Sequence, residues 1–219
     1  MVDRFICRAS AVKSIMTNPR SKADREAGIL SDTAKGVVIK KAVKDVFGFE
    51  SFFRNKYTDK GIELEDMAIE AVGNYYFAEL KKNTERLTND WVTGECDILT
   101  DDYIRDTKCS WSVDTFPWTD EMLEKTVKSG GYDWQGQVYM WLWDRPVHYV
   151  DFVLLPTPEE CLKHDDDPHE HIELVKAMPI EKRIRTYKIE RDDSAIEAVK
   201  EAVERCQPFY QELVARFRA

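Results

Sequence analysis

Residues 93–110 place the strongest constraint on the fold of this chain. Two β-prone runs flank the polar pair Asp101-Asp102, and a two-residue loop there predicts a β-hairpin. That loop length sets a register in which Asp97 lies directly opposite Asp106, with Cα atoms roughly 4.5–5.5 Å apart. Like charges placed opposite each other destabilise a sheet. A divalent cation between the two carboxylates would offset this repulsion.

Lys108 belongs to the same predicted face. The two strands of the hairpin are predicted within Trp91–Leu99 and Tyr103–Cys109. Alternate side chains of a strand point to the same side, so Lys108 shares a face with Asp106. Two acids and a lysine on one face of a sheet indicate a site of chemical activity.

Composition excludes several classes of protein. The chain has 219 residues, 43% of them hydrophobic, and a formal net charge of −9. That charge argues against a general nucleic-acid coat, although not against an enzyme that grips DNA locally. No apolar run is long enough for a transmembrane helix. The five cysteines are scattered without a Cys-x-x-Cys motif, which favours a reducing cytoplasm and argues against a zinc ribbon or an iron–sulfur cluster.

The clearest helix is predicted over residues 61–80. Glu65 has apolar neighbours three, four and seven positions later, so it lies at the edge of the buried stripe. A half-buried carboxylate needs a partner, and an ion pair with Lys or Arg or a role in a metal site would each supply one. The apolar stripe consists of Leu64, Met67, Ala68, Ala71, Val72 and Tyr75.

A second informative helix is predicted over residues 132–143, which are largely apolar. Gln135 and Tyr139 are four residues apart and share a face, whereas Gln137 lies elsewhere on the turn. A glutamine in so apolar a helix needs a hydrogen-bond partner, which structure alone could supply.

Three other stretches can each be interpreted in a structural or a functional way. Residues 35–60 are locally basic, and a solvated helix face is favoured over a phosphate-contacting surface. The aromatic residues of 111–118 more often close a core than stack on single-stranded nucleic acid. The histidines of the 156–181 insertion fit no standard metal spacing, so a solvated acidic loop is favoured there; they are His164, His169 and His171.

The remaining predicted elements complete the chain. We expect strands over residues 4–8, 147–155 and 183–189, and a polar loop over 18–28. We expect a short helix capped by Ser10, helices that start at Ser31 or Asp32 and at Thr119 or Asp120, and a C-terminal helix over 193–217.

This order of elements resembles the PD-(D/E)XK nuclease superfamily, and within it the phage lambda exonuclease and YqaJ-type recombination exonucleases. The similarity covers most of residues 4–155. Gly61-x-x-x-Glu65-x-x-Ala68 is similar to the family's helix motif, and Asp97 matches its first metal acid. Asp106-Thr107-Lys108-Cys109 resembles the acid-x-Lys motif, with Asp where this branch usually has Glu, and residues 132–141 resemble the glutamine helix.

The resemblance implies an α/β fold, with a central mixed β-sheet flanked by helices, as in the restriction-endonuclease-like nuclease core. It implies one nuclease domain over residues 1–219, with a loop insertion near 156–181 and the C-terminal helix. The implied function is a Mg²⁺-dependent deoxyribonuclease, a 5′→3′ exonuclease on linear double-stranded DNA that resects strands in phage-type recombination.

The resemblance also implies roles for particular residues. Metal ligands for Mg²⁺, with Mn²⁺ as a substitute, would be Asp97, Asp106 and the carbonyl oxygen of Thr107, and Glu65 would hold a second ion or its water. Among the catalytic residues beside these acids, Lys108 would orient or deprotonate the attacking water. Gln135 would position Lys108, the water or the DNA end.

A 5′-phosphate pocket is implied near the start of the chain. The family's serine there corresponds to Ser10, but its phosphate-binding arginine has no match at equal spacing. Arg4 and Arg8 are the candidates, and Tyr139 is a further candidate DNA contact. Glu95 stands where the family has a serine, and an acid there would repel phosphate.

Implied partners are double-stranded DNA ends, a single-strand annealing protein and further copies of the chain in a ring-shaped homo-trimer, with no membrane. The implied location is the bacterial cytoplasm, the gene belonging to a phage or prophage. A structure- or sequence-specific endonuclease of the same fold and an inactive DNA-binding relict remain as alternatives. A Cas4-like nuclease is disfavoured because its cluster cysteines are missing.

Overall fold

The computed structural model describes residues 4–50 and 55–219. The strands are β1 Cys7–Arg8, β2 Leu87–Thr88, β3 Val92–Gly94, β4 Ile98–Leu99, β5 Ile104–Cys109, β6 Val147–Val153 and β7 Ile184–Glu190. The α-helices are α1 Val12–Ile15, α2 Lys22–Glu26, α3 Asp32–Phe47, α4 Lys56–Tyr76, α5 Asp120–Gly130, α6 Tyr132–Trp143, α7 Leu174–Ala177 and α8 Asp193–Arg218.

Two small sheets form the centre of the molecule. The larger has the order β4-β5-β6-β7, in which β5 and β6 are parallel and the outer pairs are antiparallel. The smaller has the order β1-β3-β2, with β1 parallel to β3. Helix α4 packs on β5, and α6 packs on β6 and β3. The predicted α/β class with mixed sheets flanked by helices is confirmed.

The predicted hairpin register is confirmed, but its first strand is shorter than predicted. Ile98 pairs with Arg105 and Leu99 with Ile104. The run from Trp91 changes sheet after Gly94, because β3 pairs with β1 and β2 instead. Between the two strands, Asn83 binds the carbonyl oxygens of Cys96 and Asp97, at 3.0 and 2.7 Å. These hydrogen bonds give the Cys96 and Asp97 carbonyl oxygens partners other than a neighbouring strand, so the chain can turn here from one sheet to the other.

Several predicted helix boundaries were wrong. Ser10 caps no helix; it lies in a 3₁₀ turn, Ala9–Ala11, whose N-cap is Arg8. The 18–28 segment contains α2, which Ser21 caps by accepting a hydrogen bond from the Asp24 N–H. Ser31 caps α3 and Thr119 caps α5, as predicted.

Helix α4 begins and ends earlier than the predicted 61–80. Asn55 and Thr58 form a capping box at its start, which satisfies otherwise unpaired N–H groups. Its buried residues include Leu64, Ala68 and Val72, but the predicted stripe residues Met67 and Tyr75 are exposed. The buried face of α4 is narrower than predicted, because Leu64, Ala68 and Val72 pack into a small apolar cluster with Val153, Leu155 and Ile184.

The larger core lies between the sheets, α3, α6 and α8. Phe116 of the aromatic stretch is fully buried in it, in agreement with the structural interpretation of 111–118. In the basic stretch, Lys41 pairs with Asp45 and Lys56 with Asp166, at 2.5 and 2.6 Å. Much of that positive charge is therefore neutralised within the protein.

The 156–181 segment is not the solvated loop that its composition predicted. It contains short helical turns, and His171 and Val175 are buried. The His171 ring lies 4.9 Å from the Trp111 ring, centroid to centroid. The assignment of residues 1–219 to one domain stays a prediction. In the portion of the chain that the structure covers, no helix combines the length and apolarity needed to cross a membrane.

Candidate active site

Asp97 and Asp106 lie opposite each other where β4 meets β5. The N–H of Asp97 donates to Asp106 Oδ1 at 3.1 Å. The N–H of Thr107 donates to Asp97 Oδ2 at 2.7 Å. Each carboxylate is thus held by the backbone of the other's strand, in the register that the sequence predicted.

Lys108 lies beside this pair, as predicted. Its Nζ is 3.8 Å from Asp97 Oδ2, and its side chain is 24% exposed. The ammonium group also lies 5.6 Å from the centroid of the Tyr132 ring. The cluster of Asp97, Asp106 and Lys108 carries two potential negative charges and one positive charge.

The two acids differ in protonation. Burial raises the pKa of Asp97 to about 7, and the neighbouring Asp106 charge adds to this effect, while Lys108 opposes it. Burial also disfavours the charged form of Asp106, but Lys108 and the hydrogen bond from His148 outweigh it and lower its pKa. Asp106 is therefore ionised at neutral pH, whereas Asp97 is poised to release a proton.

The same two carboxylates keep Lys108 protonated. Burial lowers the pKa of an ammonium group, but here Asp106 and Asp97 outweigh it and raise the pKa of Lys108. A lysine in this state can donate hydrogen bonds and stabilise negative charge, but it does not act as a base.

His148 is a member of the site that the sequence analysis missed. It is fully buried on β6, and its Nε2 lies 2.9 Å from Asp106 Oδ2. The available signal was a histidine inside an apolar strand, where a polar side chain requires a partner. On the same strand, Asp151 forms a buried ion pair with Arg105 at 2.7 Å, also unpredicted.

Gln135 and Tyr139 contact each other on α6, as their spacing predicted. Gln135 Nε2 donates to the Tyr139 hydroxyl at 2.7 Å. The Tyr139 ring lies against Gly94, where an added Cβ would come within 2.7 Å of the ring. Tyr139 is buried, so its ring is part of the wall of the site.

Glu65 does not converge with the two aspartates. Its carboxylate pairs with Lys82 at 3.2 Å. Over residues 4–50 and 55–219, no three Asp, Glu, His or Cys side chains form a metal-binding group. Burial raises the pKa of the nearby Cys109 thiol to about 11; Lys60 and Lys108 oppose this rise, and Asp97 and Glu65 add to it. The metal role of Glu65 stays a prediction.

The candidate phosphate-binding residues are differently placed. Arg4 is engaged by Glu204 and by the carbonyl oxygen of Asp90. Arg8 pairs with Glu50 at 3.0 Å, and its side chain is 55% exposed. The 3₁₀ turn that carries Ser10 packs against α6.

Glu95 carries a neutralising partner. Its carboxylate lies 2.8 Å from Arg86, so the repulsion of phosphate predicted from the sequence is reduced.

The two glutamines of α6 have different roles, which predicts opposite effects of mutation. Gln137 donates to the Glu190 carbonyl oxygen at 2.8 Å and accepts from the Asp192 N–H at 2.9 Å. We expect Gln137→Ala to lower the free energy of unfolding by about 1–3 kcal/mol with little loss of nuclease activity. Gln135→Ala should lower nuclease activity strongly and change the free energy of unfolding little. Urea denaturation and a DNA degradation assay on both variants test this, and equal effects on stability would contradict it.

The fold and the arrangement of these residues define the class. A helix with Glu65 packs on a sheet whose β4–β5 hairpin carries Asp97 and the Asp106-x-Lys108 motif, and a glutamine helix follows. These are features of a PD-(D/E)XK nuclease.

Comparison with solved structures identifies the family. The chain is 43% identical to a phage-related exonuclease from Haemophilus somnus 129PT, over 98% of this chain and 97% of that one, with a TM-score of 0.90. It therefore belongs to the family of phage-related exonucleases, which is consistent with the lambda and YqaJ type that its motifs resemble. No family model and no curated protein matches the chain.

A more distant likeness supports the fold. The alkaline exonuclease LHK-Exo from Laribacter hongkongensis is 19% identical, over 97% of this chain and 90% of that one, with a TM-score of 0.61. Its complex with dAMP gives a TM-score of 0.60 at the same identity and coverage.

Proposed function

We propose that this exonuclease is a Mg²⁺-dependent enzyme that digests linear double-stranded DNA from 5′ to 3′ and leaves 5′-phosphate mononucleotides. The observation that carries the proposal is the paired Asp97 and Asp106 with Lys108 beside them. LHK-Exo has been crystallised with dAMP, a mononucleotide, which supports a product of this kind.

The residues present suit a hard divalent cation. Mg²⁺ prefers oxygen ligands and retains several waters, so one or two carboxylates suffice to hold it. Asp97, Asp106 and the Thr107 carbonyl oxygen would bind the ion, and Glu65 would hold a second ion or its water. The raised pKa of Asp97 fits this use, because burial without sufficient positive charge disfavours its ionised form.

When bound, Mg²⁺ or Mn²⁺ would shield the phosphate charge and lower the pKa of a water molecule. Lys108 contributes a fixed positive charge and N–H donors that orient the attacking water and stabilise the pentacovalent phosphate. Gln135, held by Tyr139, positions Lys108, the water or the DNA end.

For the 5′-phosphate we propose Arg8 and Ser10. Arg8 is preferred to Arg4 because its side chain is more exposed, 55% against 41%, and pairs with Glu50, whereas Arg4 is bound by both Glu204 and the Asp90 carbonyl oxygen. Tyr139 supports the pocket from within the wall of the site.

We also propose, from the family, that the enzyme resects DNA ends in phage recombination in the bacterial cytoplasm. It would act as a ring-shaped homo-trimer with a single-strand annealing partner.

One assay tests the proposed specificity. End-labelled linear duplex and covalently closed circular duplex are incubated with the enzyme and Mg²⁺. We expect 5′-labelled mononucleotides to be released from linear DNA, faster when the end carries a 5′-phosphate, with closed circles left intact. Cleavage of closed circles would favour an endonuclease, and absence of Mg²⁺ and Mn²⁺ binding in calorimetry would favour an inactive relict.

Metal binding should depend on pH because a proton on Asp97 competes with the cation. With a pKa of about 7 for Asp97, Mn²⁺ affinity should fall by about tenfold for each pH unit below that value and level off above it. Calorimetry in buffers of different ionisation enthalpy should detect about one proton released near pH 6 and almost none near pH 8.5. Affinity that does not change over this range would contradict the assignment of Asp97.

A further inference from the structure

Both oxygens of the Asp106 carboxylate are fixed by hydrogen bonds. Oδ1 accepts from the Asp97 N–H, and Oδ2 lies 2.9 Å from His148 Nε2. Asp106 and His148 are both almost completely buried, so water does not compete for this contact. A carboxylate only accepts hydrogen bonds, so the geometry requires the proton on Nε2.

The other ring nitrogen of His148 contributes no such contact: in the part of the chain that the structure describes, Nδ1 is buried without a hydrogen-bond partner. The ring must therefore be oriented by packing. The Tyr139 ring meets it edge-on, with centroids 6.0 Å apart.

The imidazole ring of His148 packs directly against Gly136 of α6. A Cβ at this position would lie 2.4 Å from His148 Nδ1 and 3.1 Å from its Cγ. Real Cβ atoms do not approach so closely, so a side chain at Gly136 would force the ring or the helix to shift. We expect either shift to disturb the contact between His148 and Asp106.

We propose that His148, seated against Gly136, is a positioning residue that holds Asp106 in the orientation in which it binds the divalent cation. The inference rests on the proposed function, since it assumes that Asp106 binds a metal. Hydrogen-bond partners of metal ligands set the orientation and basicity of those ligands. The contact also joins α6, with Gln135 and Tyr139, to the metal ligand on β5.

Mn²⁺ binding to the purified 219-residue chain without DNA, followed by electron paramagnetic resonance, tests the proposal. His148→Leu keeps much of the volume but loses the donor, and we expect its Mn²⁺ affinity to fall about 10–100-fold. His148→Gln places an amide N–H near the position of Nε2, and it should restore most of that loss. A purely structural histidine would not be rescued by a hydrogen-bond donor.

A pair of glycine substitutions supplies an independent test that changes the chemistry of no polar side chain. Gly136→Ala should weaken Mn²⁺ binding as His148→Leu does. Gly36→Ala on α3 is the matched control, because an added Cβ there meets nothing within 4 Å, and it should bind Mn²⁺ as the wild type does. Circular dichroism shows whether each variant folds. If His148→Leu does not fold, the comparison of Gly136→Ala with Gly36→Ala tests the proposal instead.

The outcomes separate this inference from the proposed function. If the wild type binds no Mn²⁺, the proposed function fails and this inference fails with it. If the wild type binds Mn²⁺ and folded His148→Leu and Gly136→Ala bind it equally tightly, only the role of His148 is overturned.

Discussion

Lys108→Ala is expected to lower the rate of Mg²⁺-dependent degradation of linear duplex DNA by about 10²–10³-fold or more. The ammonium group lies beside the carboxylate pair, which keeps it protonated, so its removal deletes the fixed positive charge of the site. Asp97→Ala and Asp106→Ala should abolish activity because they remove the proposed metal ligands. Release of acid-soluble nucleotide from labelled duplex measures all three variants.

Metal binding distinguishes the lysine from the acids. Lys108→Ala should retain Mn²⁺ affinity or increase it, because a positive charge beside the site is lost, whereas both aspartate variants should lose binding. Lys125→Ala, at an exposed position on α5, is the control and should be fully active. Full activity in any one of the three site variants would overturn the assignment of that residue.

Asp97→Asn and Asp106→Asn are expected to change stability in opposite directions. The folded-state pKa of Asp97 is raised, so its ionisation destabilises the fold as pH rises through the range from about 4 to 7. Asn removes that penalty and can still accept the Thr107 N–H. We expect Asp97→Asn to raise the free energy of unfolding at pH 8, without metal, by about 1–3 kcal/mol.

Ionisation of Asp106 has the opposite effect on stability. Its pKa is lowered by Lys108 and His148, although burial opposes this, so its charge stabilises the fold above the ordinary pKa of an aspartate and the gain is lost in acid. Asp106→Asn would remove the buried negative charge that Lys108 and the His148 hydrogen bond stabilise, at a cost of about 3–5 kcal/mol. We therefore expect only the removal of Asp97 to relieve the repulsion that the sequence predicted between the two acids.

Thermal and urea unfolding at about pH 8, with and without Mg²⁺, measure both effects. Mg²⁺ should stabilise the wild type, because only the folded state has the site, and should stabilise neither variant. Asp101→Asn in the exposed hairpin loop is the control. Destabilisation by Asp97→Asn, or stabilisation by Asp106→Asn, would contradict the opposite pKa shifts assigned to the two acids.

The parts of the site that sequence predicted are those that depend on local periodicity. A two-residue loop and strand alternation were enough to place Asp97 opposite Asp106 and Lys108 on the same face, and helical spacing was enough to pair Gln135 with Tyr139. Each relation spans a few residues of one element or one hairpin, where backbone geometry dictates the result.

The relations that sequence missed join elements far apart in the chain. His148 reaches Asp106 because β6 lies parallel to β5, and no local pattern specifies that neighbour. Glu65 was placed correctly at the edge of a buried stripe, but its pairing with Lys82 depends on how the chain returns after α4. The change of sheet after Gly94 likewise depends on the pairing of β3 with β1.

The most direct test of the central claim is nucleotide release from linear duplex DNA by the wild-type chain, measured with Mg²⁺, with chelator alone, and with Mg²⁺ restored after chelation. A site built on Asp97, Asp106 and Lys108 predicts activity with Mg²⁺, none with chelator, and recovery when the metal is restored. Degradation that persists undiminished in chelator would contradict the account.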